Sequence, residues 1–175
     1  IPLKTAQEIS RIAKDKLEIV EVYIEENQIG FKWEDTKFIS RLLEGEFPEY
    51  SSIIPQSFRT KGVVSYNKLF ESLKISGVFS SRLNDVKLKF IPKEKKLVLK
   101  SADSTIGENE AVVNFESAEG EEIEATFNYR YLLDGVSVLE PKDKVFIALA
   151  DIDKPIYLKS LSDQSYFYIL MPLRI

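Results

Sequence analysis

The chain has 175 residues, a formal net charge of −4 at pH 7 and 44% hydrophobic residues. This length suits one large domain or one and a half small ones, and the hydrophobic fraction is ordinary for a protein with a packed core. Cysteine and histidine are absent, which excludes disulfides, thiol nucleophiles, serine–histidine catalysis and the commonest zinc ligands. The lack of cysteine fits a cytoplasmic protein, and the short apolar runs predict no membrane partner.

No cofactor is expected either. The seven glycines stand far apart, and none forms a GxGxxG or GxxxxGK[ST] loop that would cradle a phosphate. The most acidic segment, residues 107–124, is typical of a solvated hairpin. A metal site in this segment is the alternative interpretation, although its carboxylates show no regular ligand spacing.

The amino-terminal part predicts a helix followed by a meander. Residues 4–15 carry apolar side chains at helical spacing, and Thr5 is placed as the N-cap with Glu8 three residues later. Alternating segments then predict three strands, at 18–24, 28–33 and 36–43. Pro48 and Pro55 interrupt any regular strand pairing after this meander.

The rest of the chain predicts a longer α+β series. The predicted elements are a strand at 57–63, a helix at 65–76, strands at 85–91, 95–101, 110–117 and 121–127, a helix at 129–139, and strands at 143–150, 154–160 and 164–171. The two helices have apolar faces formed by Tyr66, Leu69, Phe70 and Leu73, and by Leu132, Leu133, Val136 and Leu139.

The chain also repeats itself. Residues 22–43 and 145–170 share one order of strands and turns, so that Ile29 and Phe31 correspond to Ile156 and Leu158. Residues 57–175 therefore read as one complete unit, and residues 1–56 as the back half of another. Because a half unit leaves an unpaired sheet edge, we expect part of a domain to precede Ile1.

Three segments carry a resemblance to a known family. RLLEGEFPEY (41–50) is similar to R-L-x-x-G-x-F-P-x-Y, FNYRYLLD (127–134) to F-N-x-x-Y-L-x-D, and YILMPLRI (168–175) to Y-x-x-M-P-x-R. With these segments, in this order, the chain resembles the bacterial DNA polymerase III beta subunit, or sliding clamp, over its whole length. The resemblance implies an α+β fold of DNA-clamp repeats, with helices lining the inner face and antiparallel sheets outside. It makes residues 1–56 the C-terminal half of the second repeat and residues 57–175 the complete third repeat.

The resemblance implies a processivity factor and not an enzyme. Members encircle double-stranded DNA without sequence preference and tether the replicative polymerase. They form a homodimeric ring and recruit polymerase subunits, the clamp loader and repair proteins through a short peptide motif. Because the ring joins a first repeat to a third, no closed ring is expected from this chain alone. The alternative is a carboxylate-dependent hydrolase on an unrelated α+β fold, for which the sequence offers no convergent pair of carboxylates.

The predicted helices are net basic inside an acidic chain. Basic helices facing phosphates would hold DNA without reading its sequence. The residues expected to face DNA are Lys4, Arg11, Lys14, Lys68, Lys74 and Arg130. Ordinary solvated helix surfaces would explain these charges equally well.

The resemblance also places a hydrophobic peptide-binding groove on the chain. Its residues would be Pro48, Ser52, Ile53, Leu83, Asn128, Tyr131, Asp153, Pro155, Ile169, Leu170, Met171, Pro172, Leu173 and Arg174. Ser52 stands where many members have arginine, and Asp153 stands where a small apolar residue is common. The preferred peptide motif could therefore differ from that of other members.

The last ten residues allow two interpretations. Their pattern alone favours a terminal strand that fills the core, whereas the resemblance favours one side of the groove. Tyr166 and Tyr168 alternate with Phe167 and Ile169, so the two pairs should face opposite sides. Pro172 should end the strand, which places residues 173–175 beyond the last ladder bonds. In the linker, Phe47 and Tyr50 are expected to pin the chain to a neighbouring sheet.

Overall fold

A computed structural model of the chain describes residues 1–12, 19–47 and 49–174. The chain divides into two compact units, Ile1–Pro48 and Glu49–Ile175, called here the amino-terminal and carboxy-terminal units. The boundary inferred from the sequence, after residue 56, lies inside the second of these units. The assignment of residues 1–56 and 57–175 to clamp repeats stays a prediction.

Within the described residues, the amino-terminal unit combines a helix with a small antiparallel sheet. Helix α1 spans Leu3–Ile12, and the strands are β1 at Glu21–Ile24, β2 at Gln28–Trp33 and β3 at Thr36–Arg41. Their order in the sheet is β1-β2-β3. The predicted meander is confirmed, whereas residues 13–15 of the predicted helix lie outside the described residues.

The predicted N-cap of the first helix is wrong. The helix begins at Leu3, so Thr5 lies in its first turn, where it is buried. The Oγ1 atom of Thr5 lies 2.7 Å from the Oγ atom of Ser40 on β3. The amide of Ala6 instead donates to the carbonyl of Pro2 at 3.1 Å, which closes the first turn of the helix. The threonine hydroxyl therefore attaches the helix to the sheet.

The carboxy-terminal unit, described over residues 49–174, contains two antiparallel sheets and two α-helices. After a short 3₁₀ turn at Tyr50–Ile53, the elements are β4 Thr60–Ser65, α2 Tyr66–Val78, β5 Asp85–Ile91, β6 Lys96–Asp103, β7 Gly107–Asn114, β8 Ser117–Gly120, β9 Ile123–Asn128, α3 Tyr129–Ser137, β10 Lys144–Leu149, β11 Ile156–Ser160 and β12 Phe167–Leu170. One sheet has the order β12-β11-β10-β4-β8, and the other has the order β7-β6-β5-β9.

Two strand–helix–three-strand motifs are interlocked in this unit. The first runs from β4 through β7, and the second runs from β9 through β12. Each motif gives its first strand to the sheet of the other, because β4 pairs with β10 and β9 pairs with β5. Strand β8 then joins the free side of β4.

A single core joins both sheets and both helices of the carboxy-terminal unit. Helix α2 buries Tyr66, Leu69 and Leu73, and helix α3 with the residues after it buries Leu132, Val136 and Leu139, while Phe70 and Leu133 are partly buried against the same core. The predicted apolar faces are therefore confirmed. Burial of each large apolar side chain contributes roughly 1.5–3 kcal/mol. None of the described helices is long and apolar enough to cross a membrane.

Strand β8 has no counterpart among the predicted strands. Its sequence, SAEG, shows no apolar alternation, and the strand forms because it pairs with Thr60–Val63 of β4. The predicted strand at 110–117 ends at Asn114, because the amide of Glu116 already donates to Val63 in the other sheet, at 2.8 Å. Gly120 ends β8 at φ 109°, with no room for a Cβ beside the carbonyl of Arg59. Glycine is the residue that adopts this backbone conformation readily.

The prediction of a solvated hairpin at residues 107–124 is therefore wrong. Strand β7 pairs with β6 in one sheet, whereas β8 pairs with β4 in the other. Carboxylates of this segment contact cations on neighbouring elements, in the pairs Lys100–Glu110, Lys144–Glu116, Lys61–Glu119, Arg59–Glu121, Lys89–Glu122 and Lys87–Glu124, at 2.6–3.2 Å. Among the described residues, no acidic side chains are grouped so that they could hold a metal ion.

Candidate peptide groove and nucleic-acid face

The carboxy-terminal tail connects the edges of the two sheets. Strand β12 pairs with β11 up to Leu170, which lies opposite Ile156. The chain then leaves this sheet, as predicted from Pro172, and the amide of Leu173 donates to the carbonyl of Thr126 on β9 at 2.8 Å. Leu173 lies beyond the last ladder pair of β12, as expected, but it still makes a main-chain hydrogen bond to the other sheet. The tail is held at both of its ends by main-chain hydrogen bonds.

The two faces of β12 differ as the alternation predicted. Tyr166, Tyr168 and Leu170 pack against the core, and Phe167 and Ile169 lie on the opposite face. The core interpretation of the last ten residues therefore holds for the inward side chains, and the groove interpretation of the outward ones stays a prediction. The inward residues complete the core, and the outward residues are available to a surface.

Helix α3 is packed closely against the inward tyrosines. The hydroxyl of Tyr166 donates to the carbonyl of Gly135 at 2.5 Å. The ring of Tyr168 lies directly over Gly135, where a Cβ atom would overlap it. This packing fixes the helix that carries Asn128 and Tyr131 against the strand that carries Ile169.

Burial raises the pKa of both inward tyrosines above the usual value. For Tyr168, the negative charge of Asp134 and the neighbouring Tyr131 raise the pKa further. The charged form of each hydroxyl is disfavoured because it would lose solvation. Both hydroxyls therefore stay protonated at neutral pH, which suits the donor role of Tyr166.

Asn128 and Leu83 lie near the start of helix α3. The Oδ1 atom of Asn128 accepts a hydrogen bond from the amide of Arg130 at 3.0 Å, so this side chain caps the helix. The amide of Tyr129 donates to the carbonyl of Asn84 at 2.8 Å, which brings the loop containing Leu83 to the same place. Tyr131, in the first turn of the helix, exposes about half of its surface.

Ser52 and Ile53 lie on the 3₁₀ turn that precedes β4. The hydroxyl of Ser52 donates to the carbonyl of Glu49 at 2.8 Å, and the amide of Ser51 donates to the Glu49 carboxylate at 3.2 Å. The hydroxyl proton of Ser52 is therefore engaged in a hydrogen bond within the turn. Ile53 is half exposed, and the turn reaches β12 through Tyr50, whose ring centroid lies 6.3 Å from that of Phe167.

Asp153 and Pro155 belong to the connection between β10 and β11. A turn closes where the amide of Lys154 donates to the carbonyl of Asp151 at 3.1 Å. Pro155 is buried directly before Ile156, the residue opposite Leu170. This register places Pro155 beside the point where the tail leaves the sheet, while Asp153 is exposed.

Three links connect the elements that carry predicted groove residues. The tail is bonded to β9 close to Asn128, the register places Pro155 at the end of β12, and Tyr50 contacts β12 from the linker turn. The exposed fractions of the apolar members are 59% for Leu83, 54% for Tyr131, and 46% each for Ile53 and Met171. Such half-exposed apolar side chains can bury an apolar ligand. Pro48 lies outside the described residues.

The residues expected to face DNA lie on all three described α-helices. Lys4 and Arg11 are exposed on α1, Lys68 and Lys74 are exposed on α2, and Arg130 is exposed on α3. Lys14 lies outside the described residues. Helices α2 and α3 contact each other where the ring of Tyr129 covers Gly77.

The positive excess on these helices is small. On α2 and α3, the three cations accompany Glu71 and Asp134. On α1, Arg11 contacts Glu8 at 2.7 Å, which neutralises part of its charge. The Nζ atom of Lys74 lies 5.4 Å from the ring centroid of Phe70, and Arg130 lies 6.0 Å from that of Tyr129. Any attraction for a polyanion should therefore be weak.

Comparison with known proteins agrees with the described fold. The family model for the DNA polymerase III beta subunit, C-terminal domain, matches residues 51–174, and the model for its central domain matches residues 1–49. The chain belongs to the DNA polymerase III beta subunit family. It spans about half the length of the curated relatives it matches.

Several beta sliding clamps are similar to this family member. The beta sliding clamp of Bacillus subtilis (strain 168) is 30% identical over 176 residues, which cover 99% of this chain and 46% of that protein. That of Staphylococcus aureus is 25% identical over 174 residues, with the same coverage. Among solved structures, the DNA polymerase sliding clamp from Bacillus subtilis superposes with a TM-score of 0.86 at 29% identity, over 100% of this chain and 46% of that one. The α+β fold is thus that of DNA clamps.

The expectation that Tyr50 pins the chain to a sheet is confirmed by its contact with β12, but the partners in two contacts at the site were not expected from the sequence. The carbonyl of Thr126 accepts a hydrogen bond from the amide of Leu173 in the tail, and the ring of Phe167 contacts the ring of Tyr50. Thr126 precedes Asn128 by two residues and therefore exposes its carbonyl on the same strand edge. The alternation of β12 indicated that Phe167 and Tyr168 face opposite sides, but which side Phe167 faces and what it contacts could not be predicted from any local pattern.

Proposed function

We propose that this chain is the C-terminal portion of a processivity clamp that encircles double-stranded DNA and tethers the replicative polymerase. The observation that supports this proposal is the match of two clamp domain models, in order, to residues 1–49 and 51–174. In this proposal, residues 1–56 supply the C-terminal half of a second repeat, and residues 57–175 supply a complete third repeat. The protein acts by binding and not by catalysis.

The mechanism rests on topology and on effective concentration. A closed homodimeric ring of the full-length protein stays on DNA without a tight contact to any base. A polymerase bound to that ring is held near its template at a high effective concentration, even when its own affinity for DNA is low. The small positive excess on the helices fits this mechanism, because loose contacts to phosphates let the ring slide.

The groove would recruit polymerase subunits, the clamp loader and repair proteins through a short hydrophobic peptide. Half-exposed Leu83, Tyr131, Ile53 and Met171 supply the apolar surface. A peptide would bury a small number of apolar anchors there, because few residues carry most of an interface's binding energy. Asp153 and Arg174 place one charge of each sign among the predicted groove residues.

Peptide binding by the 175-residue chain tests the groove. The probe is a short fluorescein-labelled synthetic peptide whose only large apolar side chains are a leucine and a phenylalanine, and the readout is fluorescence anisotropy. We expect Met171→Ala to weaken binding by about tenfold, because Met171 offers an adaptable apolar contact. The matched control is Ile106→Ala, which removes an apolar side chain that is 58% exposed in the turn between β6 and β7.

Two results would count against the groove. One is the absence of measurable binding by the wild-type chain at probe concentrations where the full-length protein binds. The other is an equal loss in Met171→Ala and Ile106→Ala, which would indicate contact with apolar surface in general. Thermal melts of both variants establish that the fold is intact.

A further inference from the structure

The linker turn that carries Ser52 and Ile53 lies outside both sheets. Its hydrogen bonds from Ser51 and Ser52 to Glu49 are internal, so they shape the turn without attaching it to a sheet. Two of the predicted groove residues therefore depend on other contacts for their position. One such contact is aromatic.

An aromatic row crosses the outward face of the five-stranded sheet. Phe58, two residues before β4, lies 6.2 Å from Phe146 and 5.6 Å from Tyr157 between ring centroids. Tyr157 stacks on Phe167 at 5.9 Å with an interplanar angle of 11°. Phe167 in turn contacts Tyr50, the first residue of the turn, at 6.3 Å. The segment from Tyr50 to Phe58 is thus attached to the five-stranded sheet at both of its ends.

The contact of Tyr50 lies close to the groove. Phe167 and Ile169 lie on the same face of β12, two residues apart, and Ile169 is opposite Tyr157 in the register. Phe167 therefore contacts the linker turn from β12, the strand that also carries the predicted groove residue Ile169. Aromatic pairs of this kind contribute beyond the area that they bury.

We infer that Tyr50 and Phe167 are positioning residues of the peptide groove, whose ring contact sets where Ser52 and Ile53 lie relative to Ile169. The inference rests on the proposed function, because it gives these residues a role in peptide capture. It assigns that role to two side chains that need not touch the peptide themselves.

Hydrogen exchange of the 175-residue chain tests the attachment without any peptide. In Tyr50→Ala and Phe167→Ala, the amides of Ser51–Ile54 should exchange about tenfold faster than in the wild type, because the turn opens more often. Tyr50→Phe, which keeps the ring, should restore slow exchange. The matched control Phe146→Leu alters the same aromatic row at Phe58 and Tyr157 but keeps both Tyr50 and Phe167, and should leave these amides unchanged. Wild-type exchange in both alanine variants would overturn the inference.

The second arm tests positioning with the fluorescein-labelled leucine–phenylalanine peptide. Tyr50→Ala should weaken binding by about fivefold in the wild-type background and have little effect in an Ile53→Ala background, because it acts through the turn. In a Met171→Ala background, the loss of peptide affinity caused by Tyr50→Ala should remain about fivefold. Equal losses in all three backgrounds would overturn the role in positioning.

The two arms separate this inference from the proposed function. If the wild-type chain does not bind the peptide, the proposed groove is wrong, and with it the role of the turn in binding. The exchange measurement then still decides whether the rings hold the turn. If Phe167→Ala does not fold, Tyr50→Ala decides alone, because Tyr50 lies outside the sheets.

Discussion

The amide of Leu173 donates a hydrogen bond of 2.8 Å to the carbonyl of Thr126. This bond joins a tail that leaves the five-stranded sheet to the edge strand of the four-stranded sheet. The tail is therefore part of the fold as well as part of the proposed groove. Variants of the tail must be compared for stability before any loss of binding is assigned to contacts with a peptide.

Leu173→Pro and Leu173→Ala separate the main-chain bond from the side chain. Both variants lose the leucine side chain, but only proline removes the amide donor. We expect Leu173→Pro to unfold more easily than Leu173→Ala by about 1 kcal/mol, the usual net contribution of one hydrogen bond. Urea denaturation measures the difference. Equal stabilities would show that the bond to Thr126 contributes nothing in solution.

Gly135→Ala should destabilise the carboxy-terminal unit. Alanine normally stabilises a helix interior by about 1 kcal/mol relative to glycine. At this position the added Cβ would overlap the ring of Tyr168, and such overpacking costs about 1–3 kcal/mol. The control is Gly30→Ala in β2, where the nearest atom would lie at 3.8 Å, an ordinary contact. A more stable Gly135→Ala protein would show that the ring moves aside without cost.

Alkaline pH should weaken the fold through Tyr168. Its folded-state pKa is raised above 10.0, so its contribution to stability is complete below pH 10 and is lost as the pH rises through the folded-state value. Tyr168→Phe keeps the ring and removes the titrating hydroxyl. The stability of Tyr168→Phe relative to the wild type should therefore increase between about pH 9 and pH 11. Parallel denaturation curves for the two proteins would contradict this assignment.

DNA binding should be weak, independent of sequence and sensitive to salt. The double variant Lys68→Ala/Lys74→Ala should reduce the slope of log affinity against log salt by up to about 2, because each phosphate contact contributes about 0.9. The matched control is Lys87→Ala/Lys89→Ala, which removes the same charge from β5, where both lysines pair with glutamates. Equal effects would mean that net charge, and not the helix surface, attracts DNA. Strong preference for one duplex sequence at high salt would contradict the clamp proposal itself.

Regular elements with a clear apolar period could be predicted from the sequence. Helix α2 and strand β5 lie within two residues of their predicted ends, because α2 buries residues at helical spacing and β5 buries every second residue. Strand β8 could not be predicted, since its four residues form a strand only through pairing with β4. Thr5 is also explained by a distant partner, Ser40. In each case, a non-local contact overrode the local pattern.

The candidate site also combines features that could be predicted from the sequence with features that could not. The alternation along β12 and the effect of Pro172 followed from backbone geometry, and both are confirmed. The attachment of Tyr50 to a sheet was expected and is confirmed, but its partner Phe167 could not be predicted, because no periodicity relates residues so far apart in the chain. The roles of the groove residues come from the family resemblance and stay predictions.

The exchange of first strands between the two motifs has a consequence for how the unit folds. Strand β4 can pair with β10 only after most of the unit has been synthesised, because β10 comes late in the chain. Such pairing of distant segments carries a large loop-closure cost and slows folding. Neither motif can complete its sheet by itself, so a nascent chain that ends before β10 leaves one hydrogen-bonding edge of β4 unpaired. Translation pauses within residues 66–143 should therefore be a period of high aggregation risk, which the completion of β10 relieves.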